Sequence, residues 1–333
     1  MKFITTDQNP LPPSGTVGEI VTADRIVLRY ARWPAQDSAG RGVRGTIAIL
    51  GGRAEFIEKY FETIAALQKR GFAVALLDWR GQGLSQRLLR NRSKGHVDDF
   101  KSYRKDLDAF EQQVLAPFCP KPWFALAHSM GGTILLDQAH DGASPFTRMV
   151  LCAPMIALKR LSFPRGMRFL TEFLHKSGFG RAGVPFRYAR AAAREPFSKN
   201  VLTSDPVRFS RFTSVIAAAP ELAVGVPTIG WVHAAFRLMH KLAKPDFAAR
   251  VTTPVLIFVA GDDRVIDSRS VELFASRLKT GHCLTIPNAQ HEILMEQDCY
   301  REQFWAAFDH FILGSPEEVL KPRDEPLIVQ TAV

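Results

Sequence analysis

Short apolar runs alternate with amphipathic helical patterns along most of this 333-residue chain, and that alternation leaves few folds open. Residues 26–32 alternate apolar and polar side chains as a half-buried strand does, and 46–50 and 72–77 are fully apolar runs of strand length. Similar runs recur at 123–127, 148–152, 254–260 and 283–286. Between them, Phe56, Tyr60, Ile64 and Leu67 fall on one helical face, as do Val97, Phe100, Tyr103, Leu107, Phe110 and Val114. Further helices are expected at 131–140, 270–277 and 300–312. Repeated strand–helix alternation predicts an α/β fold with a mostly parallel central sheet and helices on both faces. Ligand chemistry in such a sheet belongs at the carboxyl ends of the strands.

The alternation stops between 155 and 250. That segment has no comparable strand signal, yet holds 10 of the 24 phenylalanines. It is read as a helical cap inserted into a core formed by 1–154 and 251–333, covering the strand ends. Residues 314–333, which mix Pro, Glu, Lys and short apolar runs, are expected to be a loose tail.

The sharpest local feature is Leu126-Ala127-His128-Ser129-Met130-Gly131-Gly132, where an apolar strand gives way to a helix. A serine presented there must sit on a tight bend, and small residues two positions to either side let the backbone turn without collision. This is the Gly-x-Ser-x-Gly elbow with Ala127 in the first glycine's place. An ordinary helix N-cap serine is the plainer alternative, but the strand before and the helix after favour a nucleophile.

A serine hydroxyl needs a general base. Of nine histidines, His291, just after the last strand, is best placed; the others fall on helices, in loops, in the insertion or at a strand start. His128 adjoins the serine but is expected to point away from it and pack. The base needs a carboxylate to orient it, and Ala260-Gly261-Asp262-Asp263-Arg264-Val265-Ile266-Asp267 follows an apolar strand. Asp263 is the first choice and Asp262 the second, whereas Asp267 reads as a helix cap. The oxyanion of an acyl-transfer intermediate needs fixed donors: the Met130 amide is one, and the Gly51-Gly52-Arg53 loop should supply the other, the Arg53 amide first.

With these residues assembled, the chain resembles the monoacylglycerol lipase and lysophospholipase family, its bacterial lysophospholipases in particular. The likeness is carried by Gly52-Arg53-Ala54-Glu55 with Lys59-Tyr60, by Asp78-x-Arg80-Gly81-Gln82-Gly83-x-Ser85, and by Arg87-Leu88-Leu89 and Gly95-His96-Val97. It continues through the elbow, Asn200-Val201-Leu202-Thr203, Pro227-Thr228-x-x-Trp231-Val232, Asp263-Arg264 and His291-Glu292-Ile293-Leu294, spanning roughly residues 18–313. Where the wider family often has His-Gly, this chain has Gly51-Gly52. The resemblance implies an α/β-hydrolase fold, a helical cap and a lipid-like ester substrate. The chain order Ser129, Asp263, His291 is that of α/β-hydrolases. Substrate contacts are expected from Phe56, Trp231 and Val232.

Charge narrows the substrate. Sixteen Lys or Arg against five Asp or Glu lie in 155–250, so the whole chain's net +10 resides in that segment. This suits a phosphate head group or an anionic membrane surface rather than a nucleic-acid partner. The expected reaction is hydrolysis of a lysophospholipid through an acyl-enzyme. The alternatives are a monoacylglycerol lipase, a broad carboxylesterase or, in another class, a catalytically silent hydrolase-fold binding protein. Aminopeptidase activity is less favoured, and haloalkane or epoxide chemistry is disfavoured because those relatives carry an aspartate where Ser129 stands. Cys119, Cys152, Cys283 and Cys299 lack metal-ligand spacing, so no metal or other cofactor is expected. No signal peptide is read at the start and no stretch has spanning length, so the expected location is the cytoplasm with at most peripheral membrane contact.

Overall fold

A computed structural model describes residues 1–36, 42–159, 164–184 and 196–313. The expected tail at 314–333 lies outside them.

Eight strands form one sheet: β1 (Thr16–Val21), β2 (Val27–Trp33), β3 (Thr46–Leu50), β4 (Ala73–Leu77), β5 (Trp123–His128), β6 (Arg148–Cys152), β7 (Val255–Ala260) and β8 (Gly281–Ile286). Their order is β1-β2-β4-β3-β5-β6-β7-β8. β2 runs antiparallel to β1 and β4, and all other pairings are parallel. This is the α/β-hydrolase arrangement. Seven strands fall where the apolar runs are. β1 was not expected: it is an edge strand with one buried side chain, Ile20, and Gly18 beneath the Tyr30 ring, so it has no hydrophobic pattern to betray it.

The main helices are α1 (Phe61–Lys69), α2 (Lys101–Phe110, prolonged by a wider turn at Glu111–Leu115), α3 (Met130–His140), α4 (Pro164–Lys176), α5 (Pro206–Ala218), α6 (Ile229–Leu242), α7 (Ser268–Ala275) and α8 (Asp298–Leu313). The period of two within each strand sends alternate side chains to opposite faces. Ile47 and Ile49 of β3, with Val74, Leu76, Leu126 and Phe258, meet α1 and α8 through Phe61, Phe304 and Phe308. Ala48, Leu50, Ala125, Leu151 and Ile257 meet α2, α3 and α7 on the other side.

The three cap-region helices α4, α5 and α6 lie between β6 and β7 in the chain, and no strand occurs among the described residues there. They attach differently. α6 buries Trp231, Ala234, Leu238 and Met239 in the same cluster as the sheet's side chains. α5 is held by Phe212, stacked on Phe56 at 5.5 Å, and by Arg208, which reaches Glu62 and Asp298. α4 packs on α6, with His175 stacked on His233 at 5.0 Å.

Candidate active site

Ser129 stands between β5 and α3 with φ +48° and ψ −113°. A non-glycine residue in that region costs about 1–3 kcal/mol and persists only where its surroundings over-determine it. They do so here: its N–H donates to the Cys152 carbonyl at 3.0 Å, and its own carbonyl accepts from Met155 N at 3.1 Å. The small residues are required by packing. A Cβ on Gly131 would lie 2.2 Å from the Leu50 carbonyl oxygen and 2.7 Å from that of Gly51.

The fold brings the three predicted side chains together although 162 residues separate the serine from the histidine. His291 Nε2 lies 3.2 Å from Ser129 Oγ, and His291 Nδ1 lies 2.7 Å from Asp263 Oδ2. All three are buried. The other Asp263 oxygen accepts from the amides of Val265 at 2.7 Å and Ile266 at 2.8 Å. Burial alone would raise the Asp263 carboxyl, but the His291 charge, its hydrogen bond and these amides outweigh that and hold it below the ordinary range. Asp262 instead pairs with Arg264 at 3.1 Å, and Asp267 caps α7 through the Ser270 amide, as its position suggested. The arrangement can deliver a deprotonated serine oxygen to an electrophile and keep the imidazole in the tautomer that accepts its proton.

The loop after β3 is fixed at two amides. Gly52 N donates to Glu55 Oε2 and Ala54 N to Gln82 Oε1. Between them the Arg53 amide, like that of Met130, meets no acceptor among the described residues. Two free donors on either side of a nucleophile are what an oxyanion requires.

A family profile described as serine aminopeptidase, S33, matches residues 41–298. The chain belongs to this family. It is 35 % identical over 297 residues to lysophospholipase L2 of Escherichia coli (strain K12), covering 85 % of this chain and 83 % of that one. It is 29 % identical over 287 residues to a probable lysophospholipase L2 of Haemophilus influenzae, covering 86 % and 88 %. Among solved structures, a soluble variant of monoglyceride lipase from Saccharomyces cerevisiae, in complex with a substrate analog, superposes with a TM-score of 0.71 at 21 % identity, over 93 % of this chain and 97 % of that one. That likeness bears on the fold.

The residues expected to touch substrate lie in different settings. Trp231 is buried beside Phe100, donates from Nε1 to Tyr103 Oη at 3.2 Å and lies under the Arg53 guanidinium. Val232 is half-buried against the main core, and Phe56 packs with Phe212, Val215 and Met295. No set of three or more His, Cys, Asp or Glu among the described residues is disposed to hold a metal ion.

A buried ionic cluster in this family member escaped the sequence reading. Glu55 accepts from His128 Nδ1 at 2.7 Å, Lys59 Nζ at 2.8 Å and Tyr60 Oη at 2.5 Å, and Lys59 also pairs with Glu292 at 2.6 Å. Burial disfavours both charges of the Glu55–His128 pair. Even so, the pair's mutual attraction, helped by Lys59, holds the Glu55 carboxyl well below the usual carboxylate range and raises the His128 imidazole. Geometry agrees: His128 Nδ1 faces a carboxylate and Nε2 faces the His291 carbonyl at 3.1 Å, so both nitrogens must donate and the ring is an imidazolium. His128 therefore does more than pack. The cluster ties the loop at Gly52, the elbow and the His291 loop into one unit. Glu55, Lys59, Tyr60, His128 and Glu292 all lie in segments that carry the family likeness, but nothing in the sequence joins them across the 73 residues from Glu55 to His128.

Proposed function

We propose that this protein, a carboxylic ester hydrolase of lipid esters, is a lysophospholipase that works through an acyl-enzyme on Ser129. The observation that carries the reading is the 3.2 Å and 2.7 Å contacts linking Ser129, His291 and Asp263 at a strained elbow. In the mechanism, Ser129 Oγ attacks the ester carbonyl as His291 Nε2 takes its proton, with Asp263 holding the Nδ1–H. The Arg53 and Met130 amides receive the oxyanion, each worth about 3 kcal/mol of barrier. His291 then gives its proton to the departing glyceryl oxygen. Water, deprotonated by the same imidazole, releases the fatty acid and restores Ser129.

The lysophospholipid reading draws on the two bacterial relatives and on the basic insertion. A monoacylglycerol lipase is the second reading, favoured by the likeness to the yeast enzyme. Membrane contact is peripheral in this reading: no helix among the described residues is long and apolar enough to cross a bilayer. α4 exposes Phe169 by 72 % and Phe173 by 59 %, with Phe179 just beyond it at 57 %. Arg168 and Lys176 of the same helix line a groove with Glu172 and with Arg237, Lys241 and Lys244 of the neighbouring segment. Exposed aromatics beside cations suit the inner face of an anionic membrane, where each cation contributes about 1 kcal/mol.

A fluorophosphonate probe should label the wild type and not Ser129→Ala. Turnover of lysophosphatidylcholine should exceed that of monoacylglycerol with the same acyl chain. A folded wild type that resists labelling would overturn the mechanism, and a reversed preference would overturn the substrate class. Co-sedimentation with phosphatidylglycerol vesicles should weaken with salt and with Phe169→Ser/Phe173→Ser. Binding indifferent to both would remove the membrane contact.

A further inference from the structure

Among the described residues four buried arginines are neutralised by carboxylates, whereas buried Arg87 and half-buried Arg53 are not. Arg29 pairs with Glu58 and Asp78, Arg80 with Asp24 and Asp106, and Arg208 and Arg301 with Glu62, all at 2.6–2.8 Å. Arg53 and Arg87 instead hydrogen-bond to carbonyl oxygens and to no carboxylate among the described residues. Arg87 meets four of them, on Gly81, Glu221, Leu222 and Ala223, and acts as a clasp on the insertion, although its Nε has no acceptor among the described residues. Arg53 has one, on Gly225, and its Nε is buried without an acceptor. Burial pulls the Arg53 guanidinium down to about 10, as it does that of Arg87. Holding a cation partly out of water without a counter-ion is costly, and an anion arriving from outside would relieve that cost at Arg53, which has one carbonyl partner where Arg87 has four.

The place is informative. Arg53 lines a narrow crevice with Arg80, Gln82, Gly95, His96, Tyr103 and Trp231, and no carboxylate among the described residues lines it. The guanidinium carbon lies 5.3 Å over the Trp231 ring. The crevice begins at the residue whose amide is proposed to hold the oxyanion. As many covalent bonds separate that amide nitrogen from the guanidinium carbon as separate the ester carbonyl carbon from phosphorus in a 1-acyl glycerophospholipid. Each path spans about 7 Å when extended. An ester carbonyl seated at the Arg53 amide therefore has its phosphate within reach of the Arg53 side chain. A guanidinium fork matches phosphate oxygens better than it matches a single carbonyl.

We propose that the Arg53 side chain binds the phosphate of a glycerophospholipid's leaving group, in place of the Gly225 carbonyl, and so selects phosphorylated over neutral glycerol esters. This rests on the lysophospholipid reading, and the test separates the two. Full-length wild type, Arg53→Met and Arg53→Lys would be assayed on lysophosphatidylglycerol and on monoacylglycerol of the same acyl chain, both in neutral detergent micelles so that surface charge plays no part. The ratio of the two kcat/KM values should fall about 30-fold or more in Arg53→Met and recover in part in Arg53→Lys. Glycerol 3-phosphate should competitively inhibit hydrolysis of a soluble nitrophenyl ester by the wild type but not by Arg53→Met, with inorganic phosphate as the control for a free anion. Equal losses on both lipids, or inhibition that survives Arg53→Met, would overturn the assignment. A wild type that ignores lysophospholipids yet is inhibited by glycerol 3-phosphate in an Arg53-dependent way would refute the substrate reading and leave the phosphate site standing.

Discussion

Replacing Gly131 by alanine tests how tightly the elbow is built against the oxyanion loop. The added Cβ would sit 2.2 Å from the Leu50 carbonyl oxygen and 2.7 Å from that of Gly51. Both are backbone atoms at the end of β3, so no side chain can swing aside. Restoring an ordinary carbon–oxygen contact means parting the start of α3 from this strand end by about 1 Å, and overpacking of that kind costs about 1–3 kcal/mol of stability. Activity should suffer more. The displaced backbone leads directly into Gly52 and Arg53, and a donor moved by about 1 Å from a developing oxyanion forfeits about 10²-fold in rate. Gly132→Ala is the control: its tightest Cβ contact is the Pro154 Cβ at 3.1 Å, which a few tenths of an ångström relieve, and the next, at 3.5 and 3.7 Å, are ordinary. The assay is kcat on a soluble nitrophenyl ester beside the midpoint of urea unfolding for both variants. Gly131→Ala retaining kcat within about threefold of wild type, or Gly132→Ala losing as much, would refute the reasoning.

Two further outcomes follow from the buried charges. Glu55→Gln leaves His128 and Lys59 with a single anion, Glu292, between them; urea unfolding at pH 7 should show a loss of about 3–5 kcal/mol, and an unchanged midpoint would count against the ion pair. Burial pushes the Glu62 carboxyl up, but hydrogen bonding to Arg208 and the charges of Arg301, Arg208 and Arg211 leave it at about 2. A depressed folded-state value contributes stability above the unfolded value of 4.5 and loses it as pH falls toward 2. Discounted for partial exposure, Glu62→Gln should cost about 1–2 kcal/mol at pH 7 and little at pH 2, where equal losses would refute the linkage.

Strand–helix alternation located seven strands because five of them are buried on both faces, β2 alternates and the edge strand β8 carries its signal at 283–286; β1, at the other edge with one buried side chain, carried no such mark. The elbow was legible because a bend this sharp admits only small neighbours, and His291 and Asp263 because strand ends are where the sheet delivers side chains. The Glu55–His128 pair and the isolation of Arg53 were not. Both are properties of which distant group fails or manages to arrive, and a linear pattern does not encode the absence of a counter-ion. The insertion read as one uniform cap, whereas its helices are anchored by different means.

That uneven anchoring limits how a lipid gains access. Swinging the insertion away as a rigid door would strip Trp231, Phe236, Leu238 and Met239 from the sheet's apolar cluster. At about 2 kcal/mol for each large side chain, the cost is of order 8 kcal/mol, comparable to the whole stability margin of a typical domain. A turnover cycle cannot spend that repeatedly. Moving α4, which packs on α6 and exposes Phe169 and Phe173, would cost less. Substitutions there can retune which acyl chains pass without disturbing the frame that aligns Ser129.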